Sequence, residues 1–350
     1  MLIDLYWLIG ICFESATGFI CNVSKNSKKM RYYILIFIAF IYGCENQAQT
    51  NKIDLHGKKI INKLSKDYSQ IPGTKVYLII PSGFKLSSRI TGIEKNDNTG
   101  INIMDLQGGS FNSNAKNYTK ENFESKGINV KEFYEFSING FKARLARLQG
   151  DPTAESYQMV LGDSTFSVAF MAVFLSSDSI SASQIKNCFV NAIYDKKLKI
   201  DPFKTARFDI DFKNSKMKFA KFGANMYMFS TNGVDNPDDY PDGAMFMVSQ
   251  LPSDPSYMQN LKNTSDLMLA GMKKYGLTDF EAKLEGIVFF NGNKAYKYIG
   301  FGKKGLDKTL VYQVVTGNSN VILMIIGTAK SDFENNIKVY DDLTNTIKLK

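Results

Sequence analysis

The sequence predicts an α+β protein made of two tandem α/β/α-sandwich domains with mainly antiparallel sheets. The first observation is a repeat: Ile138-Asn139-Gly140-Phe141-Lys142-Ala143 returns as Phe290-Asn291-Gly292-Asn293-Lys294-Ala295. The residues downstream of it return in order, Tyr157-Gln158-Met159-Val160 as Tyr312-Gln313-Val314-Val315 and Gly162-Asp163-Ser164 as Gly317-Asn318-Ser319. The second is the Asn-Gly pair in each copy, the strongest short hairpin signal because a type I′ turn needs positive φ at both central residues. The third is the end of each copy, a near-continuous apolar strand (168–174 and 321–326) and then an amphipathic helical stretch. With 350 residues, 44% hydrophobic and 22% charged, the chain is long enough for two globular domains with separate cores.

The N-terminus reads as an export region. Residues 30–43 have a basic start and a short apolar run, too short for a stable span and laid out as a signal peptide. Ile41-Tyr42-Gly43-Cys44 resembles a bacterial lipobox, which implies acylation of Cys44, a membrane anchor and a cell-envelope location outside the cytoplasm. The alternatives are a buried apolar segment or a plain membrane anchor. A second apolar run lies at 5–13, and two export signals in tandem make little physical sense. Met30 is therefore read as the biological start and 1–29 as an upstream extension. Residues 44–70 are read as a polar tether followed by a short amphipathic helix, since Ile60, Ile61, Leu64 and Tyr68 fall at helical spacing.

The first domain is placed at 71–195, a short charged linker at 196–205, and the second domain at 206–350. The first opens with a strand at 75–80 closed by Pro81-Ser82-Gly83, and then a polar turn leads into a strand at 101–106. The second has its counterpart from 208 through an acidic turn at 235–243 into a strand at 244–248. Both regions are read as antiparallel hairpins. Helical stretches come next at 119–126 and 265–275, with Gly127 and Gly276 placed to end them in the left-handed conformation. Each copy closes on a helix. Ser181-x-x-Gln184 and Ser331-x-x-Glu334 read as capping boxes, and Ile185, Phe189 and Ile193 read as one apolar stripe.

On the opening strand with Pro81-Ser82-Gly83-Phe84, the Asn-Gly turn and its copy, and the last strand and helix, each repeat resembles the PsbP-like superfamily, which includes DcrB-like envelope lipoproteins. The resemblance spans about 71–195 and 206–349. It implies an α/β/α sandwich with a binding or accessory role, and it carries no catalytic motif to transfer.

Composition narrows the chemistry. The net charge of +9 is spread over scattered lysines, with arginine only at Arg31, Arg89, Arg144, Arg147 and Arg207, so no nucleic-acid partner is expected. Four cysteines and one histidine cannot assemble a Cys/His metal site of usual spacing. His56 reads as a surface residue and Cys188 as an inert core thiol. Asp235, Asp238, Asp239 and Asp242 could offer oxygen ligands to calcium, although the spacing is not that of an Asp-x-Asp loop and a solvated hairpin loop is the competing reading. Lys142 and Lys294 recur together, as a shared anion site or as plain solubilising lysines. Met245, Met247, Met258, Met268 and Met272 suit either an adaptable binding surface or a core. The expected function is a non-catalytic envelope lipoprotein with an unknown protein partner and no cofactor. The alternative is a small-ligand or metal-binding envelope protein with a groove between its domains, and a hydrolase ranks last.

Overall fold

The computed structural model describes residues 54–106, 109–223, 225–234, 243–252, 258–273, 277–290 and 292–350. Within the first repeat, strands run in chain order as β1 (Lys59–Ile60), β2 (Tyr68–Gln70), β3 (Val76–Ile79), β4 (Lys85–Leu86), β5 (Gly92–Asn96) and β6 (Thr99–Leu106). Helices α1 (Phe111–Asn114) and α2 (Lys120–Glu124) precede β7 (Asn129–Ile138), β8 (Phe141–Asp151), β9 (Ala154–Gly162) and β10 (Ser167–Leu175). Helix α3 (Ser179–Val190) and β11 (Ile193–Tyr194) close the repeat. The second contains β12 (Phe208–Asp209), β13 (Lys218–Gly223), β14 (Met226–Ser230), β15 (Met245–Pro252), α4 (Leu261–Lys273) and β16 (Leu277–Phe290). It ends with β17 (Asn293–Lys304), β18 (Asp307–Gly317), β19 (Val321–Ala329), α5 (Phe333–Thr346) and β20 (Lys348–Leu349).

The main sheet of the first repeat has the order β1-β7-β8-β9-β10-β6-β5-β4, and that of the second β13-β14-β15-β19-β18-β17-β16. Counted from β7 and from β16, seven strands take the same order in both. The register agrees as well, since Ser137 faces Lys142 and Phe289 faces Lys294. Asn139 and Gly140 sit at φ 48° and 83°, the backbone a type I′ turn requires, and Gly292 sits at 82° in the other copy. In each repeat the latest strand of the main sheet, β10 or β19, lies inside it. Its alternate residues face two different cores, which is why it reads as continuously apolar.

Helix α3 covers one face of the first sheet through Ile185 and Phe189, and α5 covers the matching face of the second through Tyr340 and Leu343. The opposite faces carry α1 and α2 in the first repeat and α4 in the second. The fold is α+β with two mostly antiparallel sheets. Only β1 pairs in parallel, against β7, among the described residues.

Several expectations are corrected. Residues 54–70 form no helix: Ile61 and Leu64 are 71% and 58% exposed, and the backbone near Ile60 pairs with β7 instead. The opening strand does not join the main sheet; β3 pairs with β2 and β11, while the hairpin partner of β6 is β5. Neither capping box forms. Asp178 caps α3 by accepting from the Ser181 amide, and Asp332, with φ 50°, precedes α5 without a side-chain cap. Ile193 belongs to β11 rather than to the stripe of α3.

Candidate functional site

The lipidation candidate Cys44 and the metal candidates Asp235, Asp238, Asp239 and Asp242 lie outside the described residues, as do the upstream extension and the signal segment. Among the described residues, no group of three or more His, Cys, Asp or Glu side chains is placed to hold a metal. No helix among them is long and apolar enough to cross a membrane. Lys142 and Lys294 occupy matched positions on two separate sheets, both exposed, and Lys294 lies over the ring of Tyr296. They form no shared site.

Cys188 is buried, and burial pushes its thiol up to about 12, so it is no nucleophile at neutral pH. His56 is exposed and leans on the ring of Tyr134. Met245, Met247 and Met272 are buried and Met258 and Met268 half-buried, all in one core. That core contains residues of both repeats. Met104, Leu106 and Ala169 of the first sheet share it with Met226, Met247 and Met324 of the second.

A polar clasp closes the same seam. The Arg207 guanidinium donates to the Arg89 carbonyl of the first repeat and to the Asn320 carbonyl at 3.1 Å, and the Gln250 side chain accepts from the Arg207 amide at 3.1 Å. Thr91 and Asn225 meet at 3.1 Å across the repeats. Arg89 is itself held by Glu94 at 3.1 Å and Asp97 at 2.9 Å. Burial presses the Arg207 guanidinium below the usual arginine range, although it remains a cation at any physiological pH. For Glu94, burial acts upward, and hydrogen bonds from Ser87 and Arg89 outweigh it to leave the carboxyl low. The crevice bordered by Arg89, Thr91, Asn102, Arg207, Asn225 and Gln250 measures about 10 Å³, room for roughly one water molecule. It does not accommodate a small organic ligand between the repeats.

Other clusters among the described residues also hold titratable groups. Glu155 is buried between Lys131 and Arg147, while Glu132 receives Lys186 at 2.6 Å and the Tyr157 hydroxyl at 3.2 Å. In the second repeat Asp341 receives Lys297 at 2.7 Å and the Tyr312 hydroxyl at 2.9 Å. Tyr157 and Tyr312 are repeat counterparts, and each bonds into an ion pair that ties a sheet to its closing helix. These carboxylates are structural clamps with their charges compensated. Asp105 differs, because burial raises it to about 6 while the Tyr194 hydroxyl, at 3.1 and 3.2 Å from its two oxygens, only partly offsets that.

The clasp is not legible in the sequence, because its contacts between the repeats join residues more than 100 positions apart. A usable signal existed in the scarcity of arginine, since two of its five positions, Arg89 and Arg207, meet here. The other missed feature is an edge. β7 is covered by β1, whereas among the described residues no strand pairs with the outer side of β16.

No protein-family model matches this chain, and no curated protein matches it. Among solved structures it is similar to LpqN, described as involved in cell envelope biogenesis of Mycobacterium tuberculosis, at 16% identity over 40% of this chain and 78% of that one, with a TM-score of 0.27. It is also similar to a chain of the Tle4-Tli4 complex, at 9% identity over 82% and 99%, with a TM-score of 0.29. A third is TplEi, an immunity protein of the type VI secretion system (T6SS) from Pseudomonas aeruginosa, at 10% over 81% and 97%, with a TM-score of 0.26. Overlaps at these scores assign neither a family nor an activity.

Proposed function

We propose that this chain is a non-catalytic cell-envelope lipoprotein, tethered through Cys44, whose paired repeats form one protein-binding or assembly-accessory module. The observation that carries this reading is the filled seam. Among the described residues, buried methionines and the Arg207 clasp occupy the space between the repeats where a ligand groove was the alternative. Binding then falls to the outer surface and the sheet edges, which suit a macromolecular partner better than a small molecule. The lipobox-like run before Cys44 supports the tether, and the resemblance of each repeat to PsbP-like domains supports an accessory role.

The test is cross-linking in intact cells, followed by purification through a C-terminal tag. A discrete partner at near-equal amount, lost on Cys44→Ala, is the expected result. A clean monomer would overturn the reading and shift attention to the Asp235, Asp238, Asp239 and Asp242 loop. For that loop, a calorimetric titration with calcium is expected to give no saturable heat.

A further inference from the structure

We propose that the loop joining β1 to β2, residues 61–67, is a membrane-surface site. Ile61 and Leu64 enter the outer part of an anionic phospholipid leaflet, while Lys58, Lys59, Lys63 and Lys66 meet its headgroups. The proposal deepens the tethered-lipoprotein reading and rests on it, since it names the surface against which the tethered repeats sit.

The loop is held in place by hydrogen bonds rather than by packing of its own apolar side chains. At its start Ile60 packs on the core, and its carbonyl accepts from the Asn139 amide at 2.9 Å. Asn62 fastens the next turn of the chain. Its amide donates to Asn139 Oδ1 at 2.7 Å, and its side chain donates to the Val190 and Ala192 carbonyls at 2.9 and 3.2 Å. At the far end the Ser65 carbonyl accepts from the Tyr68 amide at 3.2 Å, and the Ser65 hydroxyl accepts from the Asp67 amide at 3.3 Å. Ile61 and Leu64 flank Asn62 and are exposed, and neither belongs to a core of the described residues. Because the backbone is ordered before any contact, docking through these two side chains loses little further conformational freedom.

Charge identifies the surface they meet. Between Gly57 and Asp67 the chain carries four lysines and no carboxylate. All four are exposed, and among the described residues none of them is in an ion pair. Elsewhere in the first repeat Lys95, Lys131, Lys186 and Lys196 each reach a carboxylate. The flanking acids are turned to their own chain, Asp54 accepting from the His56 amide at 3.0 Å and Asp67 from the Ser65 hydroxyl at 3.3 Å. Each uncompensated lysine close to an anionic leaflet strengthens attachment about fivefold.

The place of the loop in the chain agrees. Asp54 follows Cys44 by ten positions, so the start of the first repeat stands at most about 35 Å from an acyl group on Cys44. That reach gives the loop a high effective concentration of lipid. Stable attachment commonly joins an acyl anchor to a basic, partly apolar patch, and here the two follow one another in the chain. The second repeat displays no matching loop, because the segment before it is engaged in the clasp and in β12 against β20.

Site-specific fluorescence tests this. Trp7 is the only tryptophan, so in the full chain carrying Trp7→Phe the variant Leu64→Trp reports on position 64 alone. Thr153→Trp in the same background is the control, since it lies in the exposed turn between β8 and β9, at the end of β8 opposite Asn139. The probe is vesicles of phosphatidylglycerol and phosphatidylcholine with brominated chains. Emission from position 64 should shift to the blue and be quenched, that from position 153 should do neither, and vesicles of phosphatidylcholine alone should quench position 64 less. Adding Lys63→Glu and Lys66→Glu to the reporter should weaken vesicle binding at least about tenfold. No quenching at 64, equal quenching at 64 and 153, or quenching that the lysine reversals leave unchanged would overturn the site. A chain that is acylated on Cys44 and captures a protein partner, yet shows no quenching at 64, would remove the site and leave the lipoprotein reading standing. Quenching at 64 in a chain that carries no acyl group in cells would do the reverse.

Discussion

Asp105 is the residue at which pH should register. Its native pKa of about 6 lies above the ordinary aspartate value, so its contribution to stability is present at acid pH and lost as pH rises through 6. Once ionised, the buried carboxylate costs about 3 kcal/mol relative to the unfolded chain. Asp105→Asn keeps an acceptor for Tyr194 and should stabilise the protein, with a gain that grows between about pH 4 and pH 6 and is flat above, as read by urea unfolding. Gly327 is a position where packing, not pH, is decisive. A Cβ there would come within 2.3 Å of the Tyr340 ring, so Gly327→Ala should cost about 1–3 kcal/mol in the same assay. Neither feature was legible in the sequence. Asp105 meets Tyr194 across 89 residues, and Gly327 reads as one more small residue in an apolar strand until Tyr340 is placed above it.

At the level of elements, the sequence was most informative where the physics is local. The Asn-Gly hairpins, the buried last strands, the closing helices and the left-handed Gly127 after α2 come from turn chemistry and periodicity over a few residues. Periodicity misled at Ile60, Ile61, Leu64 and Tyr68, whose helical spacing is incidental. What decides that segment is a strand edge more than 70 residues away, and no local pattern reports it. The box at Ser181 does not form for a local reason, since Asp178 reaches the Ser181 amide first and draws the helix start back before the serine, whereas α5 starts after Asp332 with no side-chain cap. Because Asn62 fastens β1, Asn62→Ala should loosen the whole segment. The expected loss is about 1–3 kcal/mol, together with faster exchange of the Ser137 and Asn139 amides.

For the molecule as a whole, one methionine-rich core contains side chains of both repeats, so the two should unfold as one cooperative unit. Leu106 belongs to the first sheet but packs into that common core. Leu106→Ala should therefore cost about 2–5 kcal/mol and split a single unfolding transition into two, visible as probes that no longer coincide in urea. The site was less legible than the fold for the same reason, since the clasp and the uncovered edge both arise from how distant elements meet. The inner placement of β10 and β19 has one more consequence, in time. β19 pairs with β18 on one side and with β15, some 75 residues earlier, on the other, so the loop between them must close before the sheet can. Until it inserts, β13 to β15 and β16 to β18 are two half-sheets with raw edges. Folding of each repeat should therefore be gated by the last strand to join its main sheet, with the interval before that strand docks the one most exposed to aggregation.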